Sequence, residues 1–221
     1  MATSAEPMGT TGGGGRLLAL SGVVAVALIV IAWVGLGGDT PTSEDSGATI
    51  NAFYDSHMAR EFIASFVLAA AAPFLVIYAV SLALALWPVG GSGRALWHIV
   101  LIAGGAMAGL AFAFTGLLLF ALTDAADQNV FSDAGLQALN VLSSDSWVAS
   151  NAAMGVMMLG AAGSLFARKA SPVLAWIALV CGIASFIPFA DFVALIISGL
   201  WIIWVSVQLY RRGEAFAPAT A

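Results

Sequence analysis

Two histidines, one cysteine and seven basic residues are the whole stock of imidazole, thiol and cationic side chains in this 221-residue chain. A haem or a metal ion would draw first on His57 and His98. The apolar run 62–87 lies between them. As a helix it covers a hydrocarbon layer about 30 Å thick, so the two imidazoles do not share one haem or one metal. His98, beside Trp97 and one turn past Arg94, reads instead as an interfacial side chain. Cys181 has no second cysteine, which excludes an intrachain disulfide and any Cys-based zinc or iron–sulfur centre.

Carboxylates are more plentiful. Asp124-Ala-Ala-Asp127-Gln128-Asn129 offers several oxygen ligands, but calcium takes about six to eight and the spacing is not that of an EF-hand. A solvated acidic loop accounts for it. His57, Asp145 and a serine among Ser143, Ser144 and Ser146 supply the side-chain types of a hydrolase. No Gly-x-Ser-x-Gly elbow accompanies them, and serines ahead of an apolar run are ordinary helix caps. No catalytic residue, cofactor or metal ligand is assigned.

Polar residues inside the apolar runs include Tyr78, Ser81, Thr115, Asn151, Ser185 and Gln208. No charge lies near the middle of any run, which disfavours proton-coupled transport. Interhelical hydrogen bonds, each worth about 0.6–2 kcal/mol, are the default role of such groups. Asn151 stands out, because its amide must face a partner helix or water. A pocket lined by Asn151, Thr115, Tyr78 or Ser185 is what a carrier would need. Arg60 is the last candidate. It neighbours Glu61, where a local pair would be worth about 0–1 kcal/mol. A shielded pair with Asp145 or Asp191 would be stronger and geometrically selective, and that is the expectation.

The elements that position these residues follow from composition. The chain is 61% hydrophobic and 9% charged, against about 45–50% and 25% in soluble domains. Mean hydropathy is +1.00 and the pI about 4.7. A soluble enzyme, a nucleic-acid binder and a disordered chain are excluded. The expected fold is an all-α membrane protein, a six-helix transmembrane bundle with spans at about 17–36, 62–87, 95–122, 146–167, 172–187 and 192–210. Residues 1–16, rich in glycine, and residues 213–221 read as cytoplasmic tails around the 17–212 domain. The first run is too long for a signal-peptide core and lacks a clean cleavage site, so it reads as an anchor.

Alternating six spans places Arg16, Arg94, Arg168, Lys169, Arg211 and Arg212 on one side and Arg60 alone on the other. The positive-inside rule then makes both termini cytoplasmic. Asp39, Glu44, Asp45, Asp55, Glu61, Asp124, Asp127, Asp133, Asp145 and Asp191 fall outside, with only Glu6 and Glu214 inside. Trp33 and Trp147 sit near the outer interface, whereas mid-span Trp201 must pack on another helix. Ile50, Phe53 and Tyr54 keep helical spacing, which predicts a short interfacial helix before the second span. Residues 131–145 predict another before the fourth, capped by Ser132 or Asp133. Pro73 should kink the second span. Gly105-x-x-x-Gly109, continued by Gly116, predicts an internal helix–helix seam.

These features resemble a family of uncharacterised six-span integral membrane proteins common in actinobacteria, a domain of unknown function. The likeness covers about residues 17–212 and rests on four stretches. They are Asn51-Ala52-Phe53-Tyr54-Asp55, the Gly/Ala-rich third span, Ser171-Pro172-Val173-Leu174-Ala175-Trp176 and the Trp201…Tyr210-Arg211-Arg212 exit. The resemblance implies the six-span fold and carries over no activity or site residue. The functional expectation is a non-enzymatic component that binds a membrane or extracytoplasmic partner, or a ligand, through outer loops 37–61 and 123–145. The alternative is a passive or lipid-handling carrier with a path between helices, and a membrane enzyme comes third.

Overall fold

The computed structural model describes residues 17–38, 40–87, 95–128 and 131–212. Both expected tails, with Glu6, Arg16 and Glu214, lie outside the described residues, as do Asp39, Arg94, Asn129 and the side chain of Arg212. Among the described residues every regular element is a helix. The first is α1 (Ser21–Val30), prolonged by a π-helical stretch over Ile31–Gly37. After it come α2 (Gly47–Ser56), α3 (Met58–Ala85), α4 (Ala95–Gln128), α5 (Asp133–Arg168), α6 (Pro172–Ala184) and α7 (Asp191–Arg212).

Helix starts are set by local chemistry. The Ser46 hydroxyl accepts the Thr49 N–H at 3.2 Å and opens α2. Ser132 does the same for Gly135 at 3.3 Å, with Asp133 in the first turn of α5. Ser171 caps α6, where Pro172 occupies a first-turn position that needs no N–H. Pro73 lies within α3, which runs unbroken through it.

α3, α4 and α5 form the centre of an antiparallel bundle, with α1, α6 and α7 packed around them. Small residues permit the central crossings. A Cβ on Gly109 would stand 2.9 Å from the Ala72 carbonyl oxygen, and one on Gly116 would stand 2.6 Å from that of Ser65. The Gly105/Gly109/Gly116 stripe is therefore the α3–α4 seam, as its spacing predicts. Gly104 and Gly160 serve the α4–α5 crossing, where a Cβ would collide with the Met157 or Leu101 backbone. Leu68, Leu75, Tyr78, Leu82, Phe112 and Met158 fill the core between these helices. Trp201 is buried, its indole N–H donating to the Leu174 carbonyl at 3.1 Å, so it does pack on another helix.

Among the described residues, five helical stretches are long and apolar enough to cross a membrane: Leu17–Gly37, α3, α4, α5 and α7 to Arg211. The run expected to span 172–187 is helical only over the 13 residues of α6. That is about 20 Å, short of a hydrocarbon core about 30 Å thick. The Ser185 hydroxyl turns back onto the Cys181 carbonyl at 2.8 Å, and residues 185–190 form turns and a bend that include Phe189, whose φ is +70°.

Residues 131–145 require a correction, because they are not a separate interfacial helix. From Asp133 onward they are the first turns of a 36-residue α5. α4, with 34 residues, likewise outruns its expected end. At about 51 and 54 Å the two helices exceed a membrane's core by several turns. Those extra turns carry α2. Ile50 and Tyr54 pack against Leu122, Ala125, Ala126 and Leu136 as a second apolar core, here called the cap. The short helix before α3 exists as expected, but it rests on α4 and α5. At the opposite end of the bundle, Arg168 donates to the Ala85 and Trp87 carbonyls at 2.9 and 3.0 Å, and buried His98 bonds the Leu86 carbonyl at 2.8 Å.

Candidate functional site

Where the cap meets the bundle, Glu61 is completely buried. One of its carboxylate oxygens, Oε1, accepts from Arg60 Nε at 2.9 Å and Nη2 at 2.7 Å. The other, Oε2, is buried and has no hydrogen-bond partner among the described residues. Arg60 is held as well as paired. Its guanidinium lies 5.5 Å from the centre of the Phe53 ring, within cation–π range. It also packs under Gly38, whose φ is +64° and where a Cβ would approach Nη1 to 3.1 Å. Tyr54 lies in the same corner. Its burial, and secondarily the Glu61 carboxylate, push its phenol above the ordinary tyrosine range.

Glu61 lines a cavity of about 220 Å³ with Tyr54, Thr115, Asn140, Ser146, Trp33 and Trp147. The Thr115 and Ser146 hydroxyl oxygens are 3.0 Å apart, and each also faces a carbonyl, Ala111 at 3.0 Å and Ser143 at 2.7 Å. Asn140 directs its NH₂ group at the Pro41 and Thr42 carbonyls, at 3.4 and 2.9 Å. The segment over the cavity is thus tied to α5. Gln137 adds a bond to the Asp45 carbonyl at 3.0 Å. No histidine, lysine or cysteine is among the described residues that line the cavity. His57 points its Nδ1 at the Phe53 carbonyl, 2.9 Å away, and at the Ser56 hydroxyl, 3.0 Å away.

A second cavity, of about 570 Å³, opens beside the first and shares Trp147 with it. Asn151, Ser185 and Asp191 line it together with Phe189. Both amide atoms of Asn151 are buried without a partner among the described residues. Asp191 is largely buried and accepts the Phe192 N–H at 2.8 Å.

The candidate residues therefore divide three ways. Thr115 belongs to the Glu61 cavity, and Asn151, Ser185 and Asp191 belong to its neighbour. Tyr78 lines neither of them. It is fully buried, its hydroxyl has no partner among the described residues, and its ring packs against Gly22. Asp145 is exposed. The expected pairing of Arg60 with Asp145 or Asp191 is replaced by the local pair with Glu61. Adjacency wins because the backbone already holds the two side chains together. The pair is still unlike a surface one, since its acidic half is withdrawn from water.

Glu61 itself escapes sequence reasoning, which places it among solvated loop acids. The available signal was the Arg-Glu doublet directly before an apolar run. Asn140 was hidden in the same way, on a segment read as lying outside the bundle, whereas Ser146 was read as a helix cap and not as a cavity residue. No protein-family model, no curated protein and no solved structure matches the chain.

Proposed function

We propose that this is a six-crossing cell-membrane protein, with both termini cytoplasmic, whose outward cap binds a ligand or partner without chemical turnover. The resemblance to the actinobacterial six-span family belongs to the same reading. Exposed Leu110, Leu117, Val180 and Leu200 give the helices a lipid-compatible outside. Arg168, Lys169 and Arg211 lie at the end opposite the cap, in keeping with the positive-inside rule. α6 with its following turns would supply the sixth crossing, through locally thinned lipid.

The observation that carries the binding role is Glu61: a buried carboxylate with one oxygen unsatisfied, on a residue that lines a cavity under the cap. An unmatched buried acceptor costs about 1–3 kcal/mol, more when charged, which a bound donor would return. Two measurements test this reading. In a Cys181→Ala background, cysteines at Ser43 and Ser132 should react with an impermeant thiol reagent in intact cells, whereas one at Lys169 should not. Thermal unfolding in detergent is then followed across amines, sugars, short peptides and lipid headgroups. A ligand of the cavity should raise the melting temperature of the wild type and not of Glu61→Gln. Inverted labelling, or no shift that depends on Glu61, would overturn the reading.

The cavity lined by Asn151 favours the carrier alternative, since an unpaired amide beside Ser185 and Asp191 suits a polar headgroup. A further cavity of about 290 Å³, lined by Trp33 and Phe112 between α1 and α7, carries no polar side chain, so the polar lining of these two cavities does not continue along it.

A further inference from the structure

We infer that the Glu61 cavity receives a primary ammonium group, an inference that rests on the cap being the binding face. Its polar lining is chiefly a set of acceptors. Glu61 offers Oε2, which nothing described occupies. Asn140 has committed its N–H donors to the Pro41 and Thr42 carbonyls, so its Oδ1 is what remains. Thr115 and Ser146 have two hydroxyl protons between them, and the Ala111 and Ser143 carbonyls take both when each hydroxyl turns to its own helix. Two hydroxyl oxygens 3.0 Å apart then present lone pairs to the same space. Tyr54, Ser143 and Ser144 add hydroxyls that rotate to suit. A ligand rich in donors and poor in acceptors fits this set, and an R–NH₃⁺ group has three donors and none of the other.

Charge and shape lead to the same class. Arg60 is one-third exposed and engages only Oε1, so water screens its positive charge while Glu61 stays buried. Trp33, Trp147 and Tyr54 supply ring faces that attract a cation. Exposed Glu44, Asp55, Asp124, Asp127, Asp133 and Asp145 surround the cap and raise the local concentration of cations. A bare divalent ion is a poorer match. Calcium takes about six to eight oxygen ligands, and among the described residues no three His, Cys, Asp or Glu side chains converge so that they could hold a metal ion. Liquid water occupies about 30 Å³ per molecule, so a cavity of about 220 Å³ admits a group of several heavy atoms. The ammonium could belong to a soluble amine or to an ethanolamine lipid headgroup.

The test is calorimetric titration of the full chain, in phosphatidylglycerol nanodiscs, with ethylammonium chloride at ionic strength fixed by tetramethylammonium chloride. Saturable binding is expected, at least tenfold tighter than that of choline or ethylene glycol. Glu61→Gln and Thr115→Val should each weaken it tenfold or more, and Thr115→Val keeps the test valid if the first variant misfolds. In phosphatidylethanolamine nanodiscs, loss of the ethylammonium signal identifies the lipid as the source, and an unchanged signal identifies a soluble amine. No saturable binding, equal binding of choline or ethylene glycol, displacement by sodium, or unchanged affinity in both variants would overturn the inference. If ethylammonium fails while another compound still gives a Glu61-dependent thermal shift, only the ammonium class falls. If both fail, the cap as binding face falls with it.

Discussion

Removal of the Arg60 guanidinium should destabilise the protein by more than the loss of a surface pair. An exposed ion pair is worth about 0–1 kcal/mol, and breaking a fully buried one costs about 3–5 kcal/mol. Arg60 is 33% exposed while Glu61 is 0% exposed, which places Arg60→Ala between those limits, at about 2 kcal/mol. Most of that cost is the Glu61 carboxylate left buried without a counter-ion. It should therefore shrink when Glu61 is made neutral. A double-mutant cycle of Arg60→Ala with Glu61→Gln should show coupling of at least about 1 kcal/mol. Cycles with Asp145→Asn and with Asp191→Asn should be additive within about 0.5 kcal/mol. Reversible unfolding in mixed maltoside and dodecyl sulfate micelles, followed by helicity, supplies the free energies. Coupling to Asp145 or Asp191 with none to Glu61 would refute the pairing and the buried-carboxylate site together.

Gly109→Leu should cost about 1–3 kcal/mol or more by forcing α4 away from Ala72 and Val76. Gly35→Ala, which meets nothing within 4 Å, should be near neutral in the same unfolding assay. Ser132→Ala should cost about 1 kcal/mol, and should speed hydrogen exchange over 134–136 while leaving the core of α3 unaffected. Tyr54 has a folded-state pKa raised by burial and by Glu61. The cap's stability should therefore hold below the phenol's unfolded value of about 10 and fall as pH rises beyond it. Melting curves between pH 8 and 11 should show that fall in the wild type and a smaller one in Tyr54→Phe. Equal slopes would remove Tyr54 from the cap's pH dependence.

The runs that cross between the ends of the bundle were legible because continuous apolar sequence at helical length has few other outcomes in lipid. The seam was legible too, since Gly105, Gly109 and Gly116 fall on one face and small residues mark close approach. The start of α5 was legible, but its continuity was not. Ser143-Ser144-Asp145-Ser146 has the composition of a helix start, yet Ser146 turns its hydroxyl back to the Ser143 carbonyl at 2.7 Å and the helix passes straight through. Serine suits a cap and a back-bonded helix interior equally well, and only tertiary packing chooses between them. The shortness of α6 was half visible in Pro188, although the helix ends earlier, at Ala184.

Burial of Glu61 was illegible for a related reason. Nothing in Arg60-Glu61 reveals that α2 will fold across the ends of α4 and α5. That closure depends on contacts such as Gln137 with Asp45 and Asn140 with Thr42, between residues more than ninety positions apart. The same contacts argue that cap and cavity are one device. α4 and α5 are extended by several turns that crossing a membrane does not require, and those turns form the floor on which Ile50 and Tyr54 pack. The second core holds Tyr54 beside Glu61. The loop carbonyls that fasten the roof also consume the donors of Asn140, a residue of the cavity lining, so that its Oδ1 is what remains. If the cap served only to cover the helix ends, α2 would need its apolar face and nothing more. A buried carboxylate with one free oxygen adds an electrostatic cost to that cover. The ligand-binding reading accounts for both the extra turns and the cost.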